Sequence, residues 1–162
     1  MPMSSRSAAG HSMWIAILLG GLIAGTIDVG AAALINGVNP IRILQFIAGG
    51  ILGKAALAPD PVNPALGLVL QWIMSIFIAA AYVVAARRLP LLRRRWIECG
   101  LAYGVVVFFV MNYVVVPLSA WQKVPTFTVA SFVENMIAML LFGVIVAYFV
   151  QDRAPGARVE RA

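Results

Sequence analysis

Residues 65–86 read ALGLVLQWIMSIFIAAAYVVAA and are followed directly by Arg87 and Arg88. The run contains no charged residue. A helix needs roughly 20 apolar residues to cross the hydrocarbon of a bilayer, so this run predicts a transmembrane helix. Further apolar runs of similar length predict three more spans, at 13–35, 96–117 and 127–150.

The composition is typical of a chain that lies mostly in lipid. Of its 162 residues, 62% are hydrophobic and 11% are charged, and the mean hydropathy is +0.95. A soluble domain has about 45–50% apolar and about 25% charged residues. We therefore predict an all-α polytopic membrane protein whose transmembrane domain covers 13–150. The remaining ends, 1–12 and 151–162, are predicted to be a disordered leader and a disordered tail.

The segment 41–57 is apolar but shorter than the other runs. It follows the turn signal Asn39-Pro40, precedes a proline-rich stretch at 59–64, and carries Arg42 and Lys54 near its ends. This pattern favours an amphipathic helix that is interfacial or re-entrant, although a fifth span remains an alternative.

Basic residues indicate the orientation. The loop between the second and third predicted spans holds five arginines: Arg87, Arg88, Arg93, Arg94 and Arg95. The positive-inside rule places this loop and both termini on the cytoplasmic side of a bacterial inner membrane. The formal net charge of +6 is then explained by topology and by contacts with anionic lipid head groups, and we expect no nucleic-acid partner.

Small residues at a spacing of four are expected to form flat strips where another helix can approach closely. Packing within the bundle is the simpler interpretation of these strips, and dimerisation is the alternative. The pairs are Gly21 with Gly25, Gly100 with Gly104, and Gly143 with Ala147.

Polar residues within the predicted spans are the candidate functional groups. Counted from the outer end of each span at 1.5 Å per residue, they are predicted to share one layer roughly 8–12 Å below the outer interface. Arg42 is the candidate counter-ion for Asp28 and Glu134, the two carboxylates of this layer. The layer is either a hydrogen-bonded cluster that fixes helix register or a site for a proton, an ion or a small solute. Its predicted members are Asp28, Gln71, Asn112, Glu134 and Asn135.

Several kinds of chemistry are not predicted. The chain has one cysteine, Cys99, and one histidine, His11, so no metal centre built on these residue types is expected. No histidine stands within a span to activate a serine, and no phosphate-binding glycine motif is present. We expect no enzyme activity, no metal and no cofactor.

Short stretches across 20–150 resemble a group of small multi-pass inner-membrane proteins of proteobacteria and, more distantly, the YagU-type inner-membrane proteins. The resemblance implies an inner-membrane location and no particular activity. It rests on Gly25-Thr26-Ile27-Asp28, Asn39-Pro40, Ala65-Leu66-Gly67-Leu68, Arg88-Leu89-Pro90, Gly100-Leu101-Ala102-Tyr103-Gly104, Met111-Asn112 and Pro117-Leu118-Ser119-Ala120.

Two functions of different classes are consistent with these features. The first is a structural or accessory membrane protein without chemistry of its own. Its partners would be membrane lipids and either a second copy of the chain or another membrane protein. The second is a small proton-linked or solute-linked transporter or channel that uses the polar layer near the periplasmic side.

Overall fold

A computed structural model describes residues 4–151 of the chain, and the side chains of residues 13–151. These residues form helices and connecting turns, without a strand. The elements in chain order are α1 (Ser4–Asn36), α2 (Pro40–Leu52), a 3₁₀ turn (Gly53–Leu57), α3 (Val62–Arg88), α4 (Leu91–Arg94), α5 (Trp96–Val110), a π-helical turn (Met111–Val115), α6 (Val116–Leu118) and α7 (Val129–Gln151).

Five helical segments in the described part of the chain are long and apolar enough to cross a membrane. The prediction of an all-helical chain with several candidate spans is therefore confirmed. Four segments coincide closely with the predicted spans, and the fifth includes the predicted amphipathic segment. The segments are Met13–Asn36, Pro40–Leu57, Val62–Arg88, Trp96–Leu118 and Val129–Gln151.

The amino-terminal boundary differs from the prediction. Helix α1 begins at Ser4, inside the segment 1–12 for which the sequence predicted a disordered leader. Adding a residue to an existing helix costs far less than starting a new one, and Ser4–Ala9 contains neither proline nor glycine. At the other end, 152–162 of the predicted tail lie outside the described residues.

Local sequence signals account for both ends of α2. Asn39 caps the helix because its side-chain oxygen accepts a hydrogen bond from the Ile41 amide at 2.9 Å, and Pro40 occupies the first helical position. At the other end Gly53 has a φ of 61°, a left-handed conformation that favours glycine. This residue ends α2 and starts the 3₁₀ turn.

Helices α1 and α3 run antiparallel in close contact. As the chain advances along α1 from Gly21 through Gly25 to Asp28, its neighbours on α3 fall back from Ile76 through Ser75 to Gln71. A Cβ atom built on Gly21 would lie 2.7 Å from the Ile76 Cα. Glycine therefore allows the two backbones to approach more closely than any other residue would.

Helices α5 and α7 form a second antiparallel pair. A Cβ on Gly100 would lie 3.0 Å from the Val144 Cα, and one on Gly104 would lie 2.8 Å from the Leu140 Cα. Gly143 of α7 packs in turn against the backbone of Gly100 and Gly104. All three predicted small-residue strips thus lie at helix contacts within the chain.

Helix α1 and two tyrosines connect the α1–α3 pair to the α5–α7 pair. Helix α1 packs against α7 as well as α3, since Gly20 lies against the Phe149 ring. Tyr103 of α5 donates a hydrogen bond of 2.7 Å to the Ile78 carbonyl of α3, and its ring meets that of the buried Tyr82 edge-on at 5.0 Å. The tyrosine pair therefore connects the two helix pairs.

Helix α2 is held between α3 and the loop that follows α6. The Leu44 carbonyl packs directly against Gly67 of α3. On its other side the Trp121 indole lies against Gly49 and donates a hydrogen bond of 3.0 Å to the Phe46 carbonyl. The Ala120 amide adds a bond of 2.8 Å to the Gly50 carbonyl.

Candidate polar site between α1 and α3

The α1–α3 contact contains a pair of polar side chains from the predicted layer. The Gln71 Nε2 donates hydrogen bonds to the Asp28 Oδ2 at 3.0 Å and to the Gly25 carbonyl at 3.2 Å. Gln71 is only 7% exposed, and its bond to the Gly25 carbonyl is buried, while its bond to Asp28 is partly buried. Because the helices approach closely at Gly25, the side-chain amide of Gln71 reaches the α1 backbone.

A second polar contact links α1 and α3 nearer the surface of the bundle. The Trp72 Nε1 donates to the Thr26 Oγ1 at 3.2 Å, and the Thr26 hydroxyl donates to the Leu22 carbonyl of its own helix at 2.7 Å. The buried Ser75 packs its hydroxyl against Gly25. Adjacent residues of α3, Gln71 and Trp72, therefore both bond to α1.

The two predicted asparagines do not join this pair. Asn112 donates to the Phe108 carbonyl at 2.9 Å, and Asn135 donates to the Ser131 carbonyl at 2.7 Å. Each bond goes back one turn within the residue's own helix. Each of these amides thus bonds within its own helix and does not connect two helices.

Glu134 lies on the outward side of α7. Its side chain is exposed, and within residues 13–151 it makes no hydrogen bond or ion pair. Of the five residues predicted to share one layer, the structure therefore brings only Asp28 and Gln71 together. Distance along a helix predicts the depth of a side chain, but the direction in which it points depends on how the helices pack.

Arg42 lies on α2 and contacts neighbours on the same helix. Its guanidinium donates to the Gln45 Oε1 at 3.3 Å and lies 6.0 Å from the centre of the Phe46 ring. Among residues 13–151 no ion pair links Arg42 to Asp28 or Glu134. The structure therefore does not place the candidate counter-ion beside either carboxylate.

The predicted arginine loop is held against the end of the bundle at which α3 ends. The Tyr82 hydroxyl donates to the Leu92 carbonyl of α4 at 3.2 Å, and Leu92 packs against the buried core. Arg95 forms an ion pair of 3.2 Å with Glu98, and the pair is expected to contribute little stability because both side chains are exposed. The polar ends of Tyr82 and Tyr103 were the signal for these contacts, because a buried tyrosine hydroxyl requires a partner.

The described residues contain no group of three or more His, Cys, Asp or Glu side chains placed to hold a metal ion. Compared with known proteins, the chain matches no family model, no curated protein sequence and no solved structure.

Proposed function

We propose that the chain crosses a bacterial inner membrane four times, with Pro40–Leu57 on the outer side and both termini in the cytoplasm. The antiparallel contact of α1 with α3 supports this arrangement. When the pairing of Asp28 with Gln71 is continued along both helices, Asn36 comes level with Asn63, close to the start of α3. The segment between these two residues, which contains α2, therefore begins and ends at the same end of the bundle.

The arginine loop supplies the direction of insertion. It lies between α3 and α5, at the end of the bundle opposite to Asn36, and carries five arginines. Under the positive-inside rule this end is cytoplasmic, so α2 and the Trp121 loop face the periplasm. The resemblance to small inner-membrane proteins is consistent with this location.

Cysteine labelling in intact cells tests the topology. In a Cys99→Ser background, single replacements Val38→Cys, Asp60→Cys and Val124→Cys should react with a membrane-impermeant maleimide. Leu89→Cys should react only after the membrane is permeabilised. Labelling of Val38→Cys and Asp60→Cys from opposite sides would show that α2 crosses the membrane, and would refute the four-span arrangement.

For the role of the protein we propose a structural or accessory function without enzymatic chemistry. The single observation that carries this proposal is that the polar side chains bond either a neighbouring helix or their own helix. Gln71 bonds both Asp28 and the α1 backbone, while Asn112 and Asn135 bond their own helices. Polar groups used in this way stabilise a bundle, whereas a transport site requires several of them to converge on one solute.

Proton-linked transport is the second candidate, and one observation favours it. Asp28 is a carboxylate inside a span, and such groups often mark proton pathways. One observation opposes it. Asp28 faces α3 and Glu134 faces outward from α7, so the two carboxylates do not form one proton pathway.

Reconstitution separates the two functions. Liposomes containing a pH-sensitive dye and an imposed pH gradient would be compared for the native chain, Asp28→Asn and Glu134→Gln, with protein-free liposomes as the baseline. We expect the same rate of decay in every case. A native chain that dissipates the gradient faster than Asp28→Asn would refute the accessory role and establish proton conduction.

A further inference from the structure

The arginine loop, residues 87–95, concentrates positive charge at one end of the bundle. Residues 87–98 contain five arginines and a single acidic residue, Glu98, which pairs with Arg95. Among the described residues, the guanidinium groups of Arg87, Arg88 and Arg93 form no hydrogen bond or ion pair. These three groups therefore carry charge that the described part of the chain does not neutralise.

Contacts with the bundle fix the position of the loop. The Tyr82 hydroxyl donates a hydrogen bond of 3.2 Å to the Leu92 carbonyl, and the Leu92 side chain packs against the buried core. Within the loop, the Arg93 amide donates to the Pro90 carbonyl at 3.1 Å. The loop therefore lies against the end of the bundle and does not extend away from it.

The flanking helices place the loop at the surface of the membrane. Helix α3 carries no charged residue before Arg87, and α5 begins at Trp96, directly after the loop. A short loop held against the ends of two candidate spans lies at the level of the lipid head groups. The Trp96 ring contacts the Tyr148 ring of α7 at 5.7 Å, and both residue types prefer this level of a membrane.

Exposed apolar side chains stand beside the arginines. Leu89, Leu91 and Ile97 are each about half exposed. A segment that combines exposed apolar and cationic side chains is typical of the boundary between acyl chains and head groups. The apolar groups enter the acyl region there, while the long arginine side chains reach the phosphates. This combination favours lipid as the partner over an acidic protein or a nucleic acid in the cytoplasm.

We propose that the arginine loop binds acidic phospholipids of the cytoplasmic leaflet, and that Arg87, Arg88 and Arg93 contact their phosphate groups. The proposal rests on the topology proposed above and names a partner for the cytoplasmic end of the bundle. Phosphatidylglycerol fits this surface better than phosphatidylcholine, because the choline group of phosphatidylcholine neutralises the phosphate. Each basic residue near an anionic membrane surface raises the affinity about fivefold.

Fluorescence quenching in reconstituted bilayers tests the lipid preference. In the Cys99→Ser background, a fluorophore attached to Ile97→Cys, an exposed position beside the loop, would report which lipids surround the arginines. The quencher would be phosphatidylglycerol or phosphatidylcholine with a nitroxide on an acyl chain, in bilayers with the same composition in both leaflets. We expect phosphatidylglycerol to bind beside the loop roughly three- to tenfold more strongly than phosphatidylcholine.

Removal of charge from the loop tests the assigned residues. The combined variant Arg87→Gln, Arg88→Gln and Arg93→Gln should lower the preference for phosphatidylglycerol to less than about twofold. A measurement on the native chain checks the same point without a substitution. Salt at 1 M shortens the Debye length to about 3 Å, from about 10 Å at 0.1 M, so the native preference should fall.

The matched control removes the same number of charges from the predicted outer side. The combined variant Arg42→Gln, Lys54→Gln and Lys123→Gln should keep the native preference at the Ile97→Cys fluorophore. Circular dichroism and denaturation by sodium dodecyl sulfate would establish that both combined variants fold.

Equal binding of the two lipids by the native chain would overturn the proposal, and it is the result expected if the arginines served topology alone or bound another macromolecule. A preference that the loop variant keeps, that the outer variant loses equally, or that 1 M salt leaves unchanged would also overturn it. These outcomes are distinguishable from failure of the proposed function. Both leaflets have the same composition, so the lipid preference does not depend on the direction of insertion, which cysteine labelling measures separately. The liposome pH experiment tests the accessory role.

Discussion

Replacing Gly21 by alanine should separate α1 from α3. The new Cβ would lie 2.7 Å from the Ile76 Cα, a backbone atom that cannot rotate away. Ordinary contact begins at 3.4 Å, so the helices must move apart by about 0.7 Å at this point. If the whole contact opens by this amount, the bond between Gln71 and Asp28 lengthens from 3.0 Å to about 3.7 Å, beyond hydrogen-bonding distance.

The expected loss of stability follows from these distances. Overpacking of a close contact costs about 1–3 kcal/mol, and a weakened hydrogen bond within a membrane adds about 0.6 kcal/mol. Alanine recovers roughly 0.5–1 kcal/mol because it forms helix more readily than glycine. We therefore expect Gly21→Ala to lower the free energy of unfolding by about 0.6–3 kcal/mol.

Gly30→Ala is the matched control on the same helix, because a Cβ at Gly30 would meet no atom within 4 Å. It should leave the free energy of unfolding unchanged or raise it by up to about 1 kcal/mol. Reversible denaturation by sodium dodecyl sulfate in mixed micelles, followed by circular dichroism, would measure both variants. Equal stabilities for Gly21→Ala and Gly30→Ala would refute the close contact between α1 and α3.

Two further predictions concern the contacts made by aromatic residues. Tyr103→Phe should lower the free energy of unfolding by about 1 kcal/mol in the same denaturation assay, because the α3 carbonyl loses its donor. Tyr113→Phe, at an exposed tyrosine, should change it by less than about 0.5 kcal/mol, and equal effects would contradict the bond. Trp121→Ala should speed amide hydrogen exchange in α2 at least tenfold while exchange in α5 stays unchanged, because the indole anchors α2. Trp14→Ala, at an exposed tryptophan, is the control, and unchanged exchange in α2 after Trp121→Ala would contradict the anchoring role.

Length and hydropathy were sufficient to predict the candidate spans. An apolar run such as 65–86 must be helical in lipid, because only then do its backbone groups bond one another. The ends of α2 were also predictable, since Asn39-Pro40 is a signal that acts within a few residues of sequence. These features depend on local properties of the chain.

The candidate site was less predictable because it depends on how the helices turn toward one another. Asp28 and Gln71 meet where glycines bring α1 and α3 together, whereas Glu134 faces outward although its depth was predicted to match theirs. The π-helical turn at Met111–Val115 was also missed. Pro117 lies just beyond it and lacks the amide hydrogen that regular helical bonding requires, which was the available signal.

A double-mutant cycle between Asp28 and Gln71 would show whether Asp28 stabilises the contact between α1 and α3 by bonding Gln71. The free energy of unfolding would be measured for the native chain, Asp28→Val, Gln71→Leu and the double variant. If the two side chains bond each other, the double variant should lose about 0.6–1.7 kcal/mol less than the sum of the single losses. Losses that add within about 0.3 kcal/mol would show that Asp28 and Gln71 act independently, and would contradict a stabilising bond between them.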